Sequence, residues 1–251
     1  MIHLNLACCV TAAPLGEPSA NVLEVAAMFG LGVDERRQVE VLRPMRLTLG
    51  PHQVVFITGP SGGGKSTLLR LIEEALRQRR DARVIHLDRL SQPQDRPLVD
   101  LFDPAPLEQT LQWLSLAGLS DAFVMLRCPG ELSDGQRYRL RLAQAMAQAW
   151  HAAHPNVGPT PSLSSDAVDS ESLHAGKLLV FLADEFGATL DRQTAMVIAR
   201  NARKWIRKTP VCLIAATTHD DLLEALEPDV LIVKDLGPAV EVIQRQDAPT
   251  S

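Results

Sequence analysis

Two apolar runs without a charged member, Leu178–Ala183 and Val211–Ala216, have the length of strands buried on both faces and fall far short of the ~20 residues of a membrane helix. Gln53–Thr58 and Val230–Val233 repeat that pattern, and Arg83–Leu87 is a shorter version. Helical spacing lies between them. Lys65 to about Arg80 carries Leu68, Leu69, Leu71, Ile72 and Leu76, Leu107–Leu116 ends at Gly118, and Asp134 to about Trp150 starts behind a capping Ser133. Arg192–Arg207 and the shorter Asp220–Leu226 complete the helices. Strands that alternate with helices predict an α/β fold whose parallel sheet is covered on both faces. Nearer the N-terminus, Val22–Phe29, Val39–Leu42 and Leu47–Leu49 are broken by Gly30, Gly32, Pro44 and Gly50, which predicts short antiparallel strands forming a β layer over about 20–50.

Between Pro93 and Pro106 the chain is a Pro-rich connector, and a small helical lobe is expected over about 95–150. His151–Gly176 holds Pro155, Pro159 and Pro161 among serines with few large apolar residues, so it is expected to be a disordered surface insertion. The rest, 1–246, reads as one domain with a short tail at 247–251.

At 251 residues and 46% apolar composition the chain can furnish one large core. The net charge of −5 argues against a general electrostatic grip on nucleic acid. Basic clusters at Arg200, Arg203, Lys204, Arg207, Lys208 and at Arg137, Arg139, Arg141 read as solvated helix faces, with an acidic or nucleic-acid partner as the alternative. Cys8, Cys9, Cys128 and Cys212 show neither CxxC spacing nor a metal-ligating His partner and read as small hydrophobes. No Lys or Arg precedes the apolar N-terminal stretch, as a secretory signal would require, so a cytoplasmic location is expected.

The chemistry concentrates in two segments. Gly59-Pro60-Ser61-Gly62-Gly63-Gly64-Lys65-Ser66-Thr67 lies between a predicted strand and a predicted helix and fits the P-loop pattern. Its glycines let backbone N–H groups turn inward toward phosphate oxygens, helped by the positive end of the following helix dipole. Lys65 can reach the β- and γ-phosphates of ATP, and the Ser66 hydroxyl can ligate Mg²⁺. The strand Leu178–Ala183 ends in Asp184 and Glu185, a Walker B arrangement in which Asp184 holds the metal and Glu185 polarises the attacking water as general base.

Glu131-Leu132-Ser133-Asp134-Gly135-Gln136-Arg137 closely resembles the LSGGQ signature of ABC ATPases, with Asp134 in place of a glycine. The resemblance implies that Ser133, Gly135 and Gln136 contact the γ-phosphate of ATP held by a partner subunit's P-loop. Gly187-Ala188-Thr189-Leu190-Asp191 resembles the D-loop, with Asp191 its acid, and His219 resembles the switch histidine that reads the γ-phosphate. Gln94 is the choice for the glutamine that joins Mg²⁺ and the attacking water, with Gln92 the alternative. Phe29 stands roughly where the family places an adenine-stacking aromatic, and core packing is its other reading.

The resemblance covers roughly Val22–Val242 and is narrower toward a group of soluble prokaryotic ABC-type ATPases, some fused to an acetyltransferase-like domain. It implies a P-loop NTPase fold and Mg-dependent ATP hydrolysis in an ATP-sandwich homodimer that acts on a protein or nucleic-acid partner. The alternative is a nucleotide-binding subunit of a membrane transporter. Only 37 residues, 95–131, separate Gln94 from Leu132, which is tight for the lobe that grips a membrane subunit. A regulatory switch that binds ATP without turning over is disfavoured by the presence of Lys65, Asp184, Glu185 and His219.

Overall fold

A computed structural model describes residues 1–12, 18–30, 32, 37–154 and 176–245. The expected insertion at 151–176 falls largely outside the described residues, as does the 247–251 tail. His151 and its two successors instead belong to a helix.

Among the described residues the central sheet has six strands in the order β4-β5-β6-β3-β7-β8. These are β3 (Gln53–Thr58), β4 (Ala82–His86), β5 (Leu178–Ala183), β6 (Val211–Ala216), β7 (Val230–Lys234) and β8 (Val240–Gln244). The first five run parallel and β8 returns antiparallel beside β7, so the mostly parallel core sheet is as expected. Alternation along a strand sends successive side chains to opposite faces. Val54 and Phe56 enter one core cluster and Val55 and Ile57 the other, and β5 and β6 divide in the same way. Burial on both faces is why these strands are continuous apolar runs.

One face is covered by α2 (Lys65–Arg77) and by an antiparallel pair, β1 (Ile2–Ala12) with β2 (Arg37–Leu49). The other is covered by α3 (Leu107–Leu116), α5 (Asp134–Ala153), α6 (Arg192–Ile206) and α7 (Leu222–Leu226). The helical lobe is built from α3, the short α4 (Ala122–Met125) and α5, around the buried Trp113, whose ring meets Phe102 and Trp150 at 5.8 Å each.

The β layer differs from expectation in three ways. The stretch containing Val22–Phe29 forms a helix, α1 (Ala20–Met28), started by Ser19, whose hydroxyl accepts the Val22 N–H. The two strands expected around Pro44 are one long β2, because the register slips opposite Leu6–Cys8 and a proline needs no ladder hydrogen bond at such a bulge. The partner strand β1 was not foreseen, although Ile2, Leu4 and Leu6 alternate with His3, Asn5 and Ala7 and point into the core.

The basic run on α6 is not one solvated face. Arg203 is buried and forks onto both oxygens of Asp229 at 2.7 and 2.8 Å, while Arg200 and Lys204 stay exposed.

Candidate active site

The chemistry-bearing loops emerge at the carboxyl ends of β3, β5 and β6, where open parallel sheets bind ligands. The loop after β3 is forced to be glycine at its first position. A Cβ on Gly59 would lie 2.0 Å from the Lys234 carbonyl oxygen, and the backbone there has φ of +137°. Gly64, at φ +92°, is the N-cap of α2 and provides no side-chain cap for the first turn. An uncapped helix start exposes N–H groups and the positive dipole end to whatever anion occupies the loop. Lys65 Nζ donates to the carbonyls of Gly59 and Pro60, both at 2.8 Å, so the cation is held against the loop it would serve.

From β5, Asp184 and Glu185 face this loop across a cleft of about 300 Å³ that is also lined by Lys65, Ser66, Thr217 and Thr218. Glu185 has a φ of +49°, sparsely populated for a residue with a side chain. The conformation is held by its neighbours: Glu185 N–H donates to Asp184 Oδ1 at 3.1 Å and Phe186 N–H to the Ala216 carbonyl at 2.8 Å. Strain over-determined by surrounding bonds is a mark of functional loops. A second, contiguous cavity of about 530 Å³ shares Ser66, Asp184 and Glu185 and adds Asp88, Tyr138 and Arg141.

Asp88 and Tyr138 were not picked out from the sequence. Asp88 follows β4, which runs parallel to β5, and its Oδ2 accepts the Asp184 N–H at 3.2 Å. Gln94 and Gln92 line neither cavity. Gln92 Nε2 donates to the Arg137 carbonyl at 2.9 Å, Gln94 Nε2 to the Gln92 carbonyl, and the Gln94 Oε1 lies where a Cβ on Gly130 would be 2.9 Å away. The signal for Asp88 in the sequence is a carboxylate two residues past the end of β4. Tyr138 is buried, accepts the Gly187 N–H at 3.1 Å on its hydroxyl and sets its ring edge against Phe186 at 6.1 Å. Burial pushes its phenol well above the usual range, so it stays neutral.

His219 sits one residue past the cleft lining. Its N–H donates to Thr217 Oγ1 at 3.2 Å, and Thr217 N–H to the Ile57 carbonyl. Asp191 caps α6 by accepting the Thr194 N–H at 2.9 Å, and hydrogen bonds from Thr194 hold its carboxyl below the usual range. Phe29 is at the C-cap of α1, 74% exposed, which removes the core-packing reading.

Ser133, Gly135 and Gln136 line neither cavity of this chain. Ser133 and Gln136 form a closed capping box at the start of α5: Ser133 Oγ accepts the Gln136 N–H at 3.3 Å and Gln136 Oε1 accepts the Ser133 N–H at 2.9 Å. Asp134 turns to Arg137 at 2.8 Å, and a Cβ on Gly135 would crowd the Thr189 carbonyl at 3.2 Å.

The ligand classes expected from the sequence fit this geometry. An uncapped helix start and Lys65 suit a polyphosphate, and the Ser66 hydroxyl with Asp184 supplies the hard oxygens Mg²⁺ prefers. Among the described residues no cluster of three or more His, Cys, Asp or Glu side chains could hold a metal by itself, so phosphate and water oxygens would complete its shell.

The ABC transporter family profile matches residues 42–100. The lipoprotein-releasing system ATP-binding protein LolD of Maricaulis maris is 28% identical over 182 residues, 59% of this chain and 78% of that protein. The sn-glycerol-3-phosphate import ATP-binding protein UgpC of Salmonella paratyphi A is 29% identical over 138 residues, 44% of this chain, and the match spans only 38% of its length. The dimeric post-hydrolysis structure of the ATP-binding cassette MJ0796 bound to ADP and Pi superposes with a TM-score of 0.58 at 17% identity, covering 98% of this chain and 100% of that one. Matched profile, similar ATP-binding relatives and shared fold agree with the loop geometry, and together they point to the ABC-type ATPase superfamily.

Proposed function

We propose that this protein hydrolyses ATP, with Mg²⁺, at sites shared between two copies of itself, and that closing and opening of this homodimer drives a macromolecular partner in the cytoplasm. One observation carries the composite site: the P-loop and both Walker acids share a cleft, whereas Ser133–Gln136 present a helix N-terminus that takes no part in it. A second copy would bring that helix start to the terminal phosphate, where backbone N–H groups and the dipole favour an anion.

In this reading Lys65 and the loop N–H groups hold the triphosphate, and Ser66 and Asp184 hold the metal. When bound, Mg²⁺ neutralises charge across the β- and γ-phosphate oxygens. Glu185 takes the role of general base toward the attacking water, and His219 senses the terminal phosphate. Loss of the phosphate bridge loosens the dimer.

A second reading, a transporter's nucleotide-binding subunit, is favoured by relatives named for import and lipoprotein release. No helix among the described residues is long and apolar enough to cross a membrane, so a separate membrane subunit would be needed. The test of the shared site is the mass of Glu185→Gln by light scattering. A doubling on adding Mg-ATP is expected, and a monomer with ATP demonstrably bound would refute the unaided homodimer. Copurification with membranes would then put the transporter reading first.

A further inference from the structure

His219 is anchored twice, by its own strand end and by a different element. The main-chain bond to buried Thr217 fixes the backbone, while the ring meets Arg192, the first residue of α6, whose Nη1 is 3.0 Å from Nδ1. A guanidinium carries only donors, so Arg192 donates and Nδ1 accepts with its lone pair. Nδ1 then bears no proton, and the proton of the neutral imidazole sits on Nε2. The guanidinium is itself aimed by Asp221, whose Oδ2 lies 2.6 Å from Arg192 Nε. Asp191, the residue before Arg192, caps the same helix, so the contact ties the 187–191 segment to His219.

We propose that Arg192 is a positioning residue for His219. It selects the tautomer whose Nε2–H can donate to a terminal phosphate oxygen or to the attacking water, and it makes that donor respond to any movement of 187–191 when two copies close. This rests on the reading of His219 as the group that senses the phosphate. Arg192 is exposed, so its replacement leaves the core intact.

The test uses the full chain with ¹⁵N-labelled histidine, the His219 ring signals being identified by their loss in His219→Ala. In the parent, His219 should show an unprotonated Nδ1 and a protonated Nε2 at a pH where imidazole is neutral. Arg192→Met should move both signals toward the average of two tautomers. In turnover assays Arg192→Met should lower kcat about 10-fold while ATP affinity changes less than about 2-fold, as for groups that orient a functional histidine. Arg192→Lys, which keeps a donor, should recover part of the rate. In the His219→Ala background, Arg192→Met should have no further effect, because the two residues act as one unit.

Ring signals that ignore Arg192→Met, or a full additional rate loss in the His219→Ala background, would overturn the assignment of Arg192 alone. His219→Ala turning over at the parental rate would instead overturn the reading of His219, and the role of Arg192 in turnover with it.

Discussion

The two ends of the parallel sheet are built on opposite terms. At the amino end of β3, Asp229 accepts the Val54 N–H at 2.7 Å, donates its own N–H to the Val54 carbonyl at 2.8 Å and receives both prongs of Arg203. At the carboxyl end, Glu185 is held at positive φ, α2 starts without a side-chain cap, and none of Lys65, Asp184 and Glu185 enters an ion pair among the described residues. Ion-paired groups lock one end, and charges without an ion pair keep the other ready for ligand. Stability should therefore follow the amino end and chemistry the carboxyl end, a trade seen wherever function needs strained or unpaired groups.

The largest effect should come from Glu185. Glu185→Gln is expected to slow turnover by about 10²–10⁴-fold with ATP affinity nearly unchanged, as for a lost general base. Glu185→Gly should be as inactive yet more stable by about 1 kcal/mol, since glycine adopts the positive φ without strain. Urea midpoints measured beside turnover check both. An active or destabilised glycine variant would break the contrast between the two ends.

Arg203→Met attacks the other end. Removing one partner strands the Asp229 carboxylate and its acceptor role, at a cost of about 3 kcal/mol, while ATP affinity stays at the parental value. The pH dependence has a definite sign. Burial pushes the Asp229 carboxyl up, but the Arg203 hydrogen bonds, the Val54 N–H and nearby arginine charge outweigh it and leave the group below its ordinary value. A depressed carboxyl stabilises fully above its unfolded pKa of about 4 and loses that contribution as pH falls through the lower folded value. The parent should thus lose more stability than Arg203→Met on acidification below about pH 4, measured by urea midpoints.

Lys65→Ala should weaken ATP binding about 10–100-fold, the range for losing a charged hydrogen-bonding partner, and leave the urea midpoint in place, because Lys65 bonds only to loop carbonyls. Calorimetric titration with ATP measures the first effect directly. A matching loss of stability would show that the loop depends on its lysine even without nucleotide.

How much of this was legible varied with how local each determinant is. β5 and β6 match their apolar runs residue for residue, because burial on both faces leaves no other pattern. The loop at 59–67, the acids at 184–185 and the Ser133 helix start were equally plain, each being contiguous in sequence. α1 was misread because a short apolar run does not separate strand from helix, although the Ser19 cap was there to be seen. β2 crossing Pro44 depended on a bulge in β2 against a partner strand 40 or so residues away, beyond the reach of local propensity. Asp88 and Tyr138 reach the cavity lining only through β4 lying beside β5 and α5 lying against Phe186, and Arg192 meets His219 only because α6 starts next to it. Such pairings come from topology and have no spacing rule in the chain.

Asp134 tests whether the helix start at 133–137 belongs with the locked end or the open one. In the free protein its carboxylate meets Arg137 and favours the first turn of α5, so Asp134→Gly should lower stability by about 0.5–1 kcal/mol through the lost dipole interaction and the added backbone freedom. If Ser133–Gln136 approach a phosphate in a second copy, the same carboxylate is a like charge near that anion. Removing it should tighten the nucleotide-bound dimer of a Glu185→Gln protein by about 2–5-fold, an electrostatic gain that shrinks at high salt. Dimer dissociation constants from sedimentation at low and high ionic strength measure this. Tightening that salt erases puts Asp134 beside the phosphate, whereas a weaker dimer at both salts means that the acid serves only its own helix and that the opposing charge lies elsewhere.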